Sequence, residues 1–143
     1  MISFKNFIIL ENSDINKIKL KDTVKRFNEI SGINSTGYYL KSGSPVFAMA
    51  FFHLINKKGE FFCLSDSETE MLHVVVLLDG FYWDINGGSD LKRKEEFITI
   101  VGQTKWEKQS EDYILKFIKK EDKDKILEIY KIMKDMYNQN KKD

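Results

Sequence analysis

The sequence predicts an α+β domain on three observations. The stretch Ser44-Pro-Val-Phe-Ala-Met-Ala-Phe-Phe-His-Leu-Ile55 opens with a helix-start signal and is apolar nearly all round, so it reads as a buried helix. The stretch His73-Val-Val-Val-Leu-Leu-Asp-Gly-Phe-Tyr-Trp-Asp84 joins two apolar runs through Asp-Gly, the signature of a two-residue β-hairpin. Amphipathic helical spacing recurs towards both ends of the chain. The expected architecture is a central buried helix packed on a small antiparallel sheet, with further helices at both ends. At 143 residues and 42% hydrophobic content, the chain suits one core and a single domain over residues 1–143.

Residues 4–10 suit a first strand or a buried leading segment. Asp14 or Asp22 is placed to cap a helix whose apolar stripe is Leu20, Val24, Phe27 and Ile30. Gly32 fits the left-handed position just after its end, and residues 33–43 carry no periodicity and read as a loop. In the next helix Ser44 takes the N-cap and Pro45 the first helical position. Asn56-Lys-Lys-Gly59 ends that helix, Glu60-Phe-Phe-Cys-Leu64 reads as an aromatic-rich strand, and residues 65–70 form an acidic loop.

Asp79-Gly80 calls for a type I′ turn, which requires positive φ at both central positions. Counting outward, Leu78 faces Phe81, Leu77 faces Tyr82, Val75 faces Asp84 and His73 faces Asn86. His73, Val75, Leu77, Tyr82, Asp84 and Asn86 then share one face, with Asp84 a diagonal neighbour of His73, about 7–8 Å away at Cα and within side-chain reach. Beyond Asn86, Gly87-Gly88 reads as a turn and Ser89-Asp90 as the cap of a helix through about Val101, although Phe97-Ile-Thr-Ile-Val101 alone would pass for a strand. Residues 113–118 form a short apolar element, and Ile126, Tyr130, Met133 and Tyr137 mark an amphipathic terminal helix over residues 121–138.

Composition narrows the function classes. With 23 basic and 22 acidic side chains the net charge is +1, which gives no field to attract nucleic acid or anionic lipid. The cluster Phe61, Phe62, Phe81, Tyr82, Trp83 is not interleaved with basic residues and reads as core, not as a base-stacking platform. The apolar N-terminal stretch is too short for a secretory segment or a membrane span, and the lone Cys63 can form no internal disulfide. A cytoplasmic protein without a membrane partner is expected. His53 reads as a core or surface-edge histidine, and two histidines with one cysteine make no zinc set, so neither metal nor cofactor is expected.

The remaining candidates are Ser44, His73, Asp84 and Asn86. A hydroxyl at the start of a buried helix is followed by a strand headed by histidine and a neighbouring strand offering a carboxylate and an amide. This order resembles the papain-like thiol hydrolases, which include bacterial cell-wall peptidases, transglutaminase-like proteins and toxin-type deamidases. The resemblance spans roughly residues 39–90. It is carried by His73-Val-Val-Val with Asp79-Gly80-Phe-Tyr-Trp-Asp84-Ile-Asn-Gly87, and by Gly43-Ser44-Pro45-Val46-Phe47-Ala48, similar to the family's Gly-Cys helix start. It implies position 44 as nucleophile, His73 as general base and then acid, Asp84 as orienter of the imidazole, and Asn86 as the reserve orienter. It also implies a peptide or protein substrate attacked at an amide through an acyl-enzyme.

Ser44 stands where the family has cysteine. A helix N-terminus and a nearby imidazolium favour a thiolate, whereas a serine hydroxyl gains too little from them and depends on a general base. Three explanations follow: a Cys-to-Ser replacement that holds an inactive state, a natural non-catalytic protein of phage or mobile-element type with a protein partner, or a true serine nucleophile. The first is favoured because the rest of the site looks complete. Beside these stand plainer readings, with Ser44 a helix cap, His73 and Asp84 ordinary strand-end residues, and Cys63 a small core residue and the runner-up nucleophile.

Overall fold

The computed structural model describes residues 15–40, 43–65, 71–89 and 105–140. Among them are four α-helices and one five-stranded antiparallel sheet. In chain order these are α1 (Lys17–Leu40), α2 (Ser44–Leu54), β1 (Glu60–Ser65), β2 (Met71–Leu78), β3 (Phe81–Asp84), β4 (Gly87–Ser89), β5 (Lys105–Gln109), α3 (Glu111–Leu115), a 3₁₀ turn (Lys120–Asp122) and α4 (Lys123–Asn140). The strand order is β4-β3-β2-β1-β5. The α+β expectation holds, with a buried helix against a small antiparallel sheet. Residues 4–10, Asp14, the acidic loop at 66–70 and the element expected over 90–101 lie outside the described residues.

Helix α2 is the centre of the packing. Every residue from Ser44 to Phe52 is buried, as a helix without a polar face requires. Phe47 and Phe51 stack at 6.2 Å, and Phe51 stacks on Trp83 of β3 at 5.3 Å. Phe52 meets Phe61 of β1 at 4.4 Å, which fixes the helix across the middle of the sheet. Asn56 and Lys57, at φ 57° and 61°, then reverse the chain. Gly59 follows because a Cβ there would lie 2.5 Å from Val76 Cγ1 and 2.8 Å from the Leu77 carbonyl oxygen.

Several boundaries differ from expectation. Helix α1 does not stop at Gly32 and residues 33–40 are not a loop; the helix runs to Leu40. Glycine costs a helix interior about 1 kcal/mol, an amount that tertiary packing readily offsets. Here Tyr39, in the last turn, packs its ring on Phe27 at 5.8 Å and on Phe47 at 6.0 Å. Asp22 lies inside α1, while Asn16 caps it by accepting from the Lys19 N–H at 3.0 Å. Leu20, Val24 and Phe27 are buried, but Ile30 is exposed. Gly87-Gly88 is not a free turn: Gly87–Ser89 is β4, with Gly88 opposite Trp83 and Gly87 opposite Asp84. Strand β5 was not legible at all, and the short apolar element is α3, capped by Ser110, whose Oγ accepts from Tyr113 N at 3.1 Å. The terminal helix is present, over Lys123–Asn140 instead of 121–138; of its expected stripe Met133 is buried and Ile126, Tyr130 and Tyr137 are half-buried, while Ile129, outside that stripe, is buried.

The Phe51 ring is fully enclosed between Phe47 and Trp83. Phe51→Ala should lower unfolding stability by about 3–5 kcal/mol through lost burial and a residual cavity. Chemical denaturation measures it; a loss below about 1 kcal/mol would remove α2 from the centre of the core.

Candidate functional site

The hairpin places His73 and Asp84 as its turn chemistry dictates. Asp79 and Gly80 have φ of 51° and 84°, the positive pair a type I′ turn needs. The pairs Leu78↔Phe81, Leu77↔Tyr82 and Val76↔Trp83 follow. His73 and Asp84 sit on the same face near the open end, and His73 Nε2 lies 3.2 Å from Asp84 Oδ2. His73 is 2% exposed and the Asp84 side chain 16%, so this pair is largely removed from water. The other carboxylate oxygen, Oδ1, accepts from the Asn86 backbone N–H at 2.8 Å. That second bond fixes the rotation of the carboxylate. Since a carboxylate oxygen accepts, Nε2 carries the proton; in the neutral ring Nδ1, also buried, then carries the lone pair.

Asn86 does not play the part expected of it. Strand β3 ends at Asp84, Ile85 and Asn86 form the turn into β4, and no position opposite His73 is left for an amide. Asp84, the diagonal neighbour, holds the ring. Asn86 instead lines a groove of about 400 Å³ between α1 and the β3–β4 turn, with Lys21, Lys25 and Asn28 among its walls.

Ser44 is not the cap of α2. Gly43 is the N-cap and Ser44 the first helical residue, so the helix starts one position earlier than expected, and no side chain caps it there. The Ser44 hydroxyl, 2% exposed, accepts instead from the backbone N–H of Val74 at 3.0 Å. The reason lies in the sheet. Amides on one side of a strand recur every second residue, so the Val74 N–H points to the same side as that of Val76, which pairs with β3. β3 has no residue paired with Val74, and the Ser44 hydroxyl takes the donor that the ladder leaves over. The first turn of α2 is thereby fastened to the residue following His73. The bond to Val74 has no sequence signature, because it depends on the shortness of β3, not on any residue type.

Ser44 is thus bound to the backbone of the residue that follows His73, His73 is bound to Asp84, and Asn86 joins them through its backbone N–H on Asp84. Cys63 lies on the neighbouring strand β1. It is buried at 2% exposure among core residues, opposite Val74 in the β1–β2 register, and burial with Glu107 nearby pushes its thiol from 9.0 up to about 12. A thiol held that high supplies little thiolate near neutrality, which counts against it as a competing nucleophile. His53, at the far end of α2, packs edge-on to Phe52 and Tyr130. No group of three or more His, Cys, Asp or Glu able to hold a metal is present among the described residues, and no described helix is long and apolar enough to cross a membrane. Comparisons with family models, with curated proteins and with solved structures found no match to this chain.

Replacing Ser44 by alanine removes the acceptor of a buried amide. Ser44→Ala should cost about 1–3 kcal/mol in chemical denaturation, the desolvation penalty of an unsatisfied buried donor. No measurable loss would mean that the Val74 N–H finds another acceptor.

Proposed function

We propose that this chain is a papain-like hydrolase or deamidase scaffold that attacks an amide, in a peptide or a glutamine side chain, through an acyl-enzyme at position 44. The observation that carries the proposal is the His73 Nε2–Asp84 Oδ2 pair at 3.2 Å on the strand whose next residue, Val74, binds the position-44 side chain. In the active form the residue at 44 is the nucleophile. His73 takes its proton at Nδ1 and later returns one to the leaving group. Asp84 holds the ring and stabilises the imidazolium, and its own orientation is held by the Asn86 N–H. The backbone N–H of residue 44, in the first turn of α2, would be the donor to the developing oxyanion. With residues 33–40 in a helix, substrate selection falls to surfaces such as the groove beside Asn86, which adjoins Asp84 through the turn.

Serine at position 44 stands, in this reading, in place of a cysteine. A second reading, a non-catalytic accessory protein that keeps the scaffold and binds a protein partner, is favoured by one observation: the Ser44 hydroxyl already completes the sheet at Val74 without any chemistry.

The two part on reactivity. In Ser44→Cys, iodoacetamide near neutral pH should label position 44 at least tenfold faster than Cys63, whose burial suppresses its thiolate. Adding His73→Ala should abolish most of that difference. Labelling at position 44 no faster than at Cys63 would exclude the catalytic reading.

A further inference from the structure

The groove between α1 and the β3–β4 turn has two walls of unequal chemistry. On one side α1 presents Ile18, Lys21, Lys25 and Asn28, spaced three or four residues apart and therefore on one helical face. On the other side Gly87 and Gly88 leave the wall to main chain. A Cβ at Gly87 would meet nothing within 4 Å, while Gly88 lies so close to the Trp83 ring that a Cβ there would come within 2.9 Å of it. At about 400 Å³ the groove lies in the lower part of the range for small-ligand sites, about 300–1,000 Å³, a size for a short segment and not for a folded partner.

Charge decides which segment fits. Lys21 and Lys25 stand one turn apart, and neither forms an ion pair with a described residue. Two like charges at this spacing repel, and an anion between them relieves the repulsion. Lys17, one turn earlier, is by contrast already engaged, over the Phe81 ring at 5.4 Å and by Asp79 at 4.0 Å. Asp22 lies on the same wall as Lys21 and Lys25, so the groove carries a surplus of one positive charge and not two. That surplus matches a monoanionic carboxylate better than a dianionic phosphate, and no arginine fork is among the lining residues. Ile18, 82% exposed, offers apolar surface for a neighbour of that carboxylate to cover. We propose that the groove binds a short acidic peptide segment, its carboxylate between Lys21 and Lys25 and an adjacent apolar side chain on Ile18. As the substrate class of the proposed enzyme this rests on the catalytic reading; as a binding site it does not, and its test uses no chemistry at position 44.

The probe is acetyl-Leu-Glu-Gly-amide, titrated into the full chain and followed at the Asn86, Gly87 and Gly88 amides by ¹H–¹⁵N NMR. The expected result is saturable movement of these amides with a Kd in the millimolar range, the strength of a few exposed contacts. The uncharged counterpart, acetyl-Leu-Gln-Gly-amide, should bind at least about fivefold more weakly. Lys21→Gln/Lys25→Gln should weaken the glutamate probe by a similar factor. Lys116→Gln/Lys131→Gln, which removes the same charge from exposed positions outside the groove, should leave its binding unchanged. Equal binding of the two probes, an equal loss in both double variants, or no movement of these amides with the probe at tens of millimolar overturns the proposal. So does inorganic phosphate that binds at the same amides more tightly than the glutamate probe, a result that assigns the groove to phosphate. None of these outcomes depends on iodoacetamide reactivity at position 44, so the binding site and the catalytic reading fail separately.

Discussion

A helix without a polar face has to be enclosed on every side, and that constraint governs this molecule. From Ser44 to Phe52 no residue of α2 reaches solvent appreciably. The sheet covers it through Phe61, Val74, Val76 and Trp83, while α1 and α4 contribute Leu20, Val24, Phe27, Ile129 and Met133. Once its flanks are fixed by Phe52 on Phe61 and Phe51 on Trp83, the start of the helix has one place to go. It meets β2 where β3 stops pairing, and the hydroxyl of Ser44 closes the gap. The candidate chemistry is therefore a consequence of packing: the core delivers position 44 to β2, the strand that carries His73 as its third residue.

The hairpin supplies the other half of the geometry. An Asp-Gly turn sets the register, the register puts His73 and Asp84 on one face, and the early end of β3 frees Asp84 to turn towards the ring. Local turn chemistry and long-range core packing thus meet within a few residues. Because Asp84 is bonded both to His73 and to the Asn86 N–H, the imidazole is held by a two-step chain of hydrogen bonds.

What the sequence made legible was what short-range rules decide. The type I′ turn follows from two residues, the start of α2 from Pro45 to within one position, and the diagonal His73–Asp84 contact from counting. What it hid was decided elsewhere in the chain. The continuation of α1 past Gly32 goes with Tyr39 finding Phe27 and Phe47. Strands β4, Gly87–Ser89, and β5, Lys105–Gln109, have almost no apolar alternation, because each lies at an edge of the sheet where neighbours, not burial, define the strand. Strand counting puts Asn86 opposite His73 by continuing β3, whereas the chain turns after Asp84. Serine before proline reads as a cap, but the partner of Ser44 is a backbone amide thirty residues away.

The central claim is that positions 44, 73 and 84 form one nucleophilic site, and a high-resolution crystal structure of Ser44→Cys tests it most directly. The account predicts the introduced sulfur within roughly 4 Å of His73 Nδ1, allowing for the loose geometry of an unliganded site, with Nε2 still on Asp84. An imidazole turned away from position 44, or a separation that no side-chain rotation could close, would contradict it.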